Sequence, residues 1–295
     1  MKKTVLAGLS SILFSTGAWA ANAPCPAGVT NSSLAAALKQ AVSDTKTDSY
    51  GTLGFGLNMW ATVVAADGRV CAVANSSGNA IQGQWLASRV ISAQKAFTAA
   101  TLSLGSSYGN YAISSANLYT ATQPGGTLYG LQHSNPVWSA GAYGDRINSS
   151  GAYAGPTDTG TYGGTNDPML GQVIGGINVF GGGLALYSSP SKKEGGVGVS
   201  GDTSCTDHLV AWRTRYNLGL DKLAGVSGPS GDSSRPDNIV FDLTFNNNNA
   251  IPPAPPTVPN TVGPFTSAGG WGHPACFGRD NSYSSNVANH LPAVR

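Results

Sequence analysis

GGGLALYSSPSKKEGGVGVSGDTSCTDHLVAWRTR, residues 181–215, is the stretch whose reading decides the fold. An apolar run at 184–187, a polar turn at 188–193 and a second run, Gly195-Gly196-Val197-Gly198-Val199, make a hairpin. Behind a Ser-Gly-Asp-Thr-Ser punctuation, Leu209, Val210, Trp212 and Tyr216 recur at helical spacing. Gly196 and Gly198 mark a strand that something approaches closely. Two readings stand for them: a helix packed tightly on the sheet, or the wall of a ligand site.

The same order occurs upstream. Residues 61–73, ATVVAADGRVCAV, are two β-prone runs joined at Asp-Gly, a strong hairpin signal. Residues 88–100, SRVISAQKAFTAA, follow, with Leu86, Val90, Ala93 and Phe97 on one helical face. An earlier helix starts at Ser32, a serine cap, and carries Leu34, Leu38 and Val42 on one face. After that first helix, the chain runs hairpin, helix, hairpin, helix.

VVAADGRV, SRVISAQKAFTAA, GGGLAL and GGVGVSGDTSCTDHLVAW, in that order, resemble the GlcG/HbpS family of haem-binding or haem-degrading domains, also found at the C-terminus of some cobalamin adenosyltransferases. The resemblance covers about residues 33–105 and 165–220. It implies an α/β (α+β) fold, an antiparallel sheet with helices packed on it in a profilin-like arrangement. It also implies a haem or related tetrapyrrole ligand, with oxidant-dependent haem breakdown as the accompanying reaction, and assembly into homo-oligomers.

The domain expected at 21–224 departs from the family at about 105–166, where a short connection is replaced by some sixty residues rich in Gly, Ser and Tyr. Seven of the 11 tyrosines lie there, with Trp138 and His133. A loop that long inside a domain is functional or disordered, and its aromatics argue against disorder. A subunit contact, a lid over a ligand and an aromatic-stapled surface loop are the three readings. Residues 225–295 form an irregular Pro/Asn/Gly-rich tail, with one extra strand expected at 237–243 and an extended arm at 251–256.

Residues 1–20 combine Lys2 and Lys3, an apolar core and Ala18-Trp19-Ala20, which reads as a signal peptide cleaved near Ala21. Its core is too short to span a bilayer, and no later run is long enough. The protein is therefore expected in the periplasm or secreted. Four cysteines, Cys25, Cys71, Cys205 and Cys276, favour two disulfides in an oxidising compartment, with three pairings open. Cys276 is expected to tie the tail back. Charged residues are only 10% of the chain and the net charge is +2, so there is no electrostatic case for nucleic acid or a membrane surface.

A haem site needs an apolar slot, axial donors and partners for the propionates. Of the four histidines, His208 alone lies in the motif-bearing segment; it is the metal-ligand candidate, set against a partly exposed helix residue. No family axial ligand carries over specifically. Lys95 matches the family's helix lysine, and Arg89 lies six residues before it; either suits an anionic carboxylate, against a solvated helix face. With Gly196 and Gly198 these are the candidate cofactor-binding residues.

A hydrolase is poorly supported, because Gly198-Val199-Ser200-Gly201-Asp202 lacks the closing Gly of a nucleophile elbow. Adjacent Asp207 and His208 on a helix cannot relay to each other. No HExxH or calcium-loop spacing occurs. The expected function is an exported haem- or tetrapyrrole-binding protein, more a binder than an enzyme. The alternative is a non-catalytic oligomeric protein that keeps the fold without haem.

Overall fold

The computed structural model describes residues 22–85, 87–133, 135–138, 142, 159–245, 261–262 and 265–295. The signal peptide with its cleavage site, Tyr143 and Tyr153 of the insertion, and the 251–256 arm lie outside the described residues.

Four strands, β1 (Trp60–Ala65), β2 (Val70–Asn75), β3 (Gly183–Ser189) and β4 (Lys192–Ser200), form an antiparallel sheet in the order β2-β1-β4-β3. The Asp-Gly turn is as expected: Gly68 takes a positive φ of 85° and donates its N–H to the Ala65 carbonyl. Helix α1 (Asn31–Lys46) starts one residue before the expected cap. Thr30 accepts from the Ser33 N–H at 3.1 Å, and Ser33 Oγ returns to the Thr30 N–H at 2.9 Å, a reciprocal box that a lone serine does not make.

The period-2 alternation of the strands sorts the core into two layers. Val63, Leu184, Leu186, Val197 and Val199 face α1 and α4 (Ser204–Asn217), meeting Leu34, Leu38, Leu209, Val210 and Trp212. On the opposite face Trp60, Val64 and Val73 meet Val90, Ala93 and Ala96 of α2 (Ser88–Leu102). At the centre of that second face β4 offers no side chains at all. A Cβ on Gly198 would collide with the Ser92 carbonyl and the Ala96 nitrogen, and one on Gly196 with the Ala96 carbonyl. Thr62 Oγ1 and Ser92 Oγ share a hydrogen bond of 2.7 Å beside this contact. What comes close to the glycine strand is therefore the backbone of α2.

Of the described insertion, residues 111–122, including the short helix α3 (Leu118–Ala121), are largely buried between the core and the tail. Asn117 Nδ2 donates to the Asn238 carbonyl at 2.9 Å and Thr120 donates to the Gly272 carbonyl.

The tail is part of the same core. Ile239, Phe241, Val287 and Leu291 pack into the α1/α4 layer, and a further helix, α5 (Asn281–Asn289), caps it. The strand expected at 237–243 is not regular; only Thr244–Phe245, β5, pairs, in a small sheet with β6 (Thr261–Val262) and β7 (Phe265–Thr266). Its backbone groups go elsewhere: the Ile239 N–H donates to Asn238 Oδ1 and the Val240 carbonyl accepts from the His273 N–H. Asp237 meets Arg215 in a fully buried two-bond pair at 2.6 and 2.9 Å. Two disulfides, Cys25–Cys71 and Cys205–Cys276, staple the N-terminal segment to β2 and the tail to α4. No helix among the described residues is long and apolar enough to cross a membrane.

His208 belongs to this tail joint. It is wholly buried, contrary to a partly exposed helix position. Its Nε2 lies 3.2 Å from Asn238 Oδ1, and its Nδ1 has no partner. The Ile239 N–H also reaches Nε2, at 3.1 Å, so two groups of the tail hold the ring on that nitrogen. Burial and the nearby Arg215 push its pKa down to about 3.

Two consequences can be measured. Gly198→Ala should lose about 3 kcal/mol or more in urea unfolding, the upper end of overpacking costs. Gly105→Ala, where a Cβ meets nothing within 4 Å, should stay within about 0.5 kcal/mol of the parent. His208 stays neutral in the folded state, whereas in the unfolded chain it titrates near 6.5. Stability present above pH 6.5 should therefore drain away as pH falls toward 3, by about 1.4 kcal/mol per unit from this group. A His208→Gln variant should show a correspondingly shallower acid dependence, whatever its absolute stability.

Candidate functional site

The β4-to-α4 turn is where the sequence concentrates polar side chains, and each has a local task. Thr203 caps α4, its Oγ1 accepting from the Thr206 N–H at 3.2 Å and donating to the Leu53 carbonyl at 2.6 Å. Asp202 gathers the N–H groups of Phe55, Leu57 and Thr203 at 2.6–3.0 Å, which brings the loop before β1 against the turn. Asp207, one turn into α4, accepts the Asp202 N–H on Oδ1 at 2.9 Å.

The other oxygen of Asp207 receives Lys95. Lys95 leaves α2, passes the end of β4 and places Nζ 2.7 Å from Asp207 Oδ2 and 3.2 Å from the Val199 carbonyl. Both side chains are almost completely buried. Burial pulls the Lys95 pKa below the usual lysine range against the opposing pull of Asp207. Burial pushes Asp207 up to about 6, restrained by Lys95. The Gly181-Gly182-Gly183 run makes room for the pair. Gly182 sits at φ 117°, where an added Cβ would come within 3.1 Å of Asp207 Cβ and 3.3 Å of Lys95 Cδ.

Above the pair opens a cavity of about 370 Å³, within the range of small-molecule sites. Lys95, Asp207, Ser200, Asp202, Thr203 and Ser204 contribute its polar lining, and Trp85, Ile91, Phe180 and Phe277 its apolar lining. Trp85, Phe180 and Phe277 are large and exposed, as is Phe55, whose ring lies 4.7 Å from Phe277 and 6.4 Å from Trp85 between centroids. Phe277 takes φ 59°, in the left-handed region that a bulky side chain avoids. Strain of that kind costs roughly 1–2 kcal/mol and concentrates at functional sites. Here it coincides with a ring held on the cavity wall.

Chemically this is an aromatic-walled slot with a buried ion pair and hydroxyls at its base. An ammonium has three donors, and two of those of Lys95 are engaged. The slot suits a flat apolar body that carries an anionic group.

Of the candidate cofactor-binding residues, Lys95 alone lines this cavity; Cys276, expected as a disulfide partner, lines it as well. Arg89 is buried and takes neither the site nor a solvated face. It pairs with Asp167, donates to the Ala142 carbonyl at 2.9 Å and lies 3.8 Å over the Tyr162 ring, holding the second half of the insertion to α2. Gly196 and Gly198 lie beneath α2, and His208 in the tail joint. The sequence reading missed Asp207 as the partner of Lys95, 112 positions away. It also missed Trp85, Phe180 and Phe277, which are isolated aromatics in three separate loops.

The lining holds no His, Met or Tyr, and its one cysteine, Cys276, is in a disulfide. An axially ligated haem iron does not fit this donor set; the macrocycle and its carboxylates do.

No protein-family model matches the chain, and no curated protein matches it. Among solved structures, it is similar to the Klebsiella pneumoniae protein ORFY, of family-model DUF336, at 22% identity and TM-score 0.37 over 64% of this chain and 90% of that one. It is similar to a PduOC:haem complex at 17% identity and TM-score 0.39, over 65% and 93% of the two chains. A double mutant of HbpS from Streptomyces reticuli matches at 14% identity and TM-score 0.36, over 74% and 99%.

Proposed function

We propose that this chain is an exported binding protein for a tetrapyrrole carboxylate. The macrocycle lies between the aromatic walls and one carboxylate meets Lys95, with no protein ligand to the metal. The observation that carries the reading is the buried Lys95–Asp207 pair lining a cavity whose wall includes a phenylalanine held at positive φ. Burial matters because a charged contact counts for more where water is excluded. Export is supported by the signal-peptide pattern of residues 1–20 together with the two disulfides. The reading is of binding and release, and no step of haem breakdown is assigned to any residue.

The exposed aromatics favour one other reading. Phe55, Trp85, Phe180 and Phe277 are an apolar surface that a second copy of the chain would cover in a homo-oligomer without ligand.

Titrating the mature, oxidised protein with haemin and with metal-free protoporphyrin separates these readings. Saturable binding of both at comparable affinity is expected, because the metal makes no bond to the protein. Phe277→Gly removes the ring and relieves the backbone, so it should be as stable as the parent or more so, yet bind about tenfold more weakly. Lys95→Met should weaken binding of the dicarboxylate porphyrin more than that of its dimethyl ester. Absence of saturable binding would sink the ligand reading. If Phe277→Gly also dissociated an oligomer in light scattering, the second reading would replace it.

A further inference from the structure

Immediately behind the cavity wall lies a cluster that the ligand reading does not use. Sγ of Cys205, Sγ of Cys276 and a ring nitrogen of His273 all lie within 4.8 Å of one another. The two sulfurs are joined in the disulfide. His273 is buried, and its Nδ1 is 2.7 Å from the Pro274 carbonyl. Nδ1 therefore carries the proton, and Nε2 presents its lone pair, accepting from Ser204 Oγ at 3.1 Å. That hydroxyl is in turn 3.6 Å from Cys276 Sγ.

Metal-binding histidines are oriented in this way, the far N–H fixed on a carbonyl so that the other nitrogen faces the ion. Cys205 stands in the first turn of α4, where the helix N-terminus favours a thiolate over a thiol. In sequence the donors read as Cys205 and then His273-Pro274-Ala275-Cys276, a tight histidine–cysteine pair with one distant cysteine.

We propose that the dithiol form of this cluster is a binding site for a zinc-class cation. The site uses Cys205 and Cys276 thiolates and His273 Nε2, with a fourth position open on the Ser204 side. In the reducing step a small dithiol gives up two electrons and two protons. The Cys205–Cys276 bond breaks to two thiols and the dithiol closes to its own disulfide. On binding, both thiol protons leave and the cation takes the sulfur lone pairs. For tetrahedral bonds of about 2.3 Å the sulfurs must part to roughly 3.8 Å, a movement of less than about 1 Å each from their bonded positions. Cys276 lines the cavity, so a reductant reaches it from there. The oxidised protein has the staple and the reduced protein has the metal site. This inference does not depend on what the cavity binds.

The test uses the full mature chain, with cobalt(II) as the spectroscopic probe. A phosphine reductant, which becomes the phosphine oxide with oxygen from water, avoids a competing thiol. Reduced protein should bind one cobalt per chain with thiolate charge-transfer and tetrahedral d–d bands, displaced by zinc, and oxidised protein should show none. Cys205→Ser should abolish the charge-transfer band. His273→Ala should weaken binding by on the order of 100-fold. A Cys25→Ser/Cys71→Ser double variant should keep the bands, which excludes the other cysteine pair. The proposal is overturned if the reduced protein shows no bands, or if they survive unchanged in His273→Ala. Should reduction alone loosen the fold, cobalt present during reduction must preserve the near-ultraviolet circular dichroism; loss of that signal despite cobalt also overturns the proposal.

Discussion

The contact of the α2 backbone with the bare face of β4 is the constraint on which the rest depends. Gly196 and Gly198 strip β4 of side chains on one sheet face, so the helix rests on that strand itself, through Ser92, Ala96 and Ala100. Glycine in a strand is costly, because it gives up conformational freedom and offers nothing to pack. The return is density. The helix backbone comes so close to the strand that not even a Cβ fits between them.

That depth is what makes the site reachable. Gly183 lies against the Lys95 carbonyl and Gly182 against its Cδ, so Lys95 runs along the sheet surface rather than over a layer of side chains. Only from such a low position does its Nζ reach the Val199 carbonyl at the strand end and Asp207 in the next helix. The ion pair couples the two helix layers through the end of the sheet. Its desolvation cost is offset by further hydrogen bonds on each partner, the condition under which a buried pair is tolerated.

The fold was largely legible because its signals are local. Asp67-Gly68, the β-prone runs of β1 and β4 and the spacing in α2 and α4 each lie within about fifteen residues. The cavity was not, because it is assembled from loops. Trp85, Phe180 and Phe277 belong to three segments with no periodicity, and nothing in the sequence says that they converge. Lys95 was legible through its motif, yet its partner Asp207 was visible only as a neighbour of His208. Arg89 and His208 misled for one physical reason: charged and polar side chains are ordinarily exposed, and here both are buried against partners far away in the sequence. Asp167, just past the insertion, pairs with Arg89 while Tyr162 of the insertion covers it, and the tail supplies Asn238 to His208. The helix α5 was missed although Asp280 stands in the capping position and Tyr283, Val287 and Leu291 recur at helical spacing. Its asparagines and serines, weak helix formers, hid it.

The tail thus does more than terminate the chain. Between Asp237 and Cys276 it completes the surroundings of α4. Asn238 Nδ2 donates to the Ala288 carbonyl, Asp237 neutralises Arg215, and His273, Pro274 and Cys276 lie against the first turn of the helix. Phe277 follows directly on the staple, and its left-handed backbone swings the ring onto the cavity wall. Without the tail, α4 would expose an uncompensated arginine and a buried histidine's partnerless face, and the slot above Lys95 would lose one side. The cavity and the disulfide are therefore two faces of one joint, in which the covalent link fixes the aromatic wall relative to the ion pair.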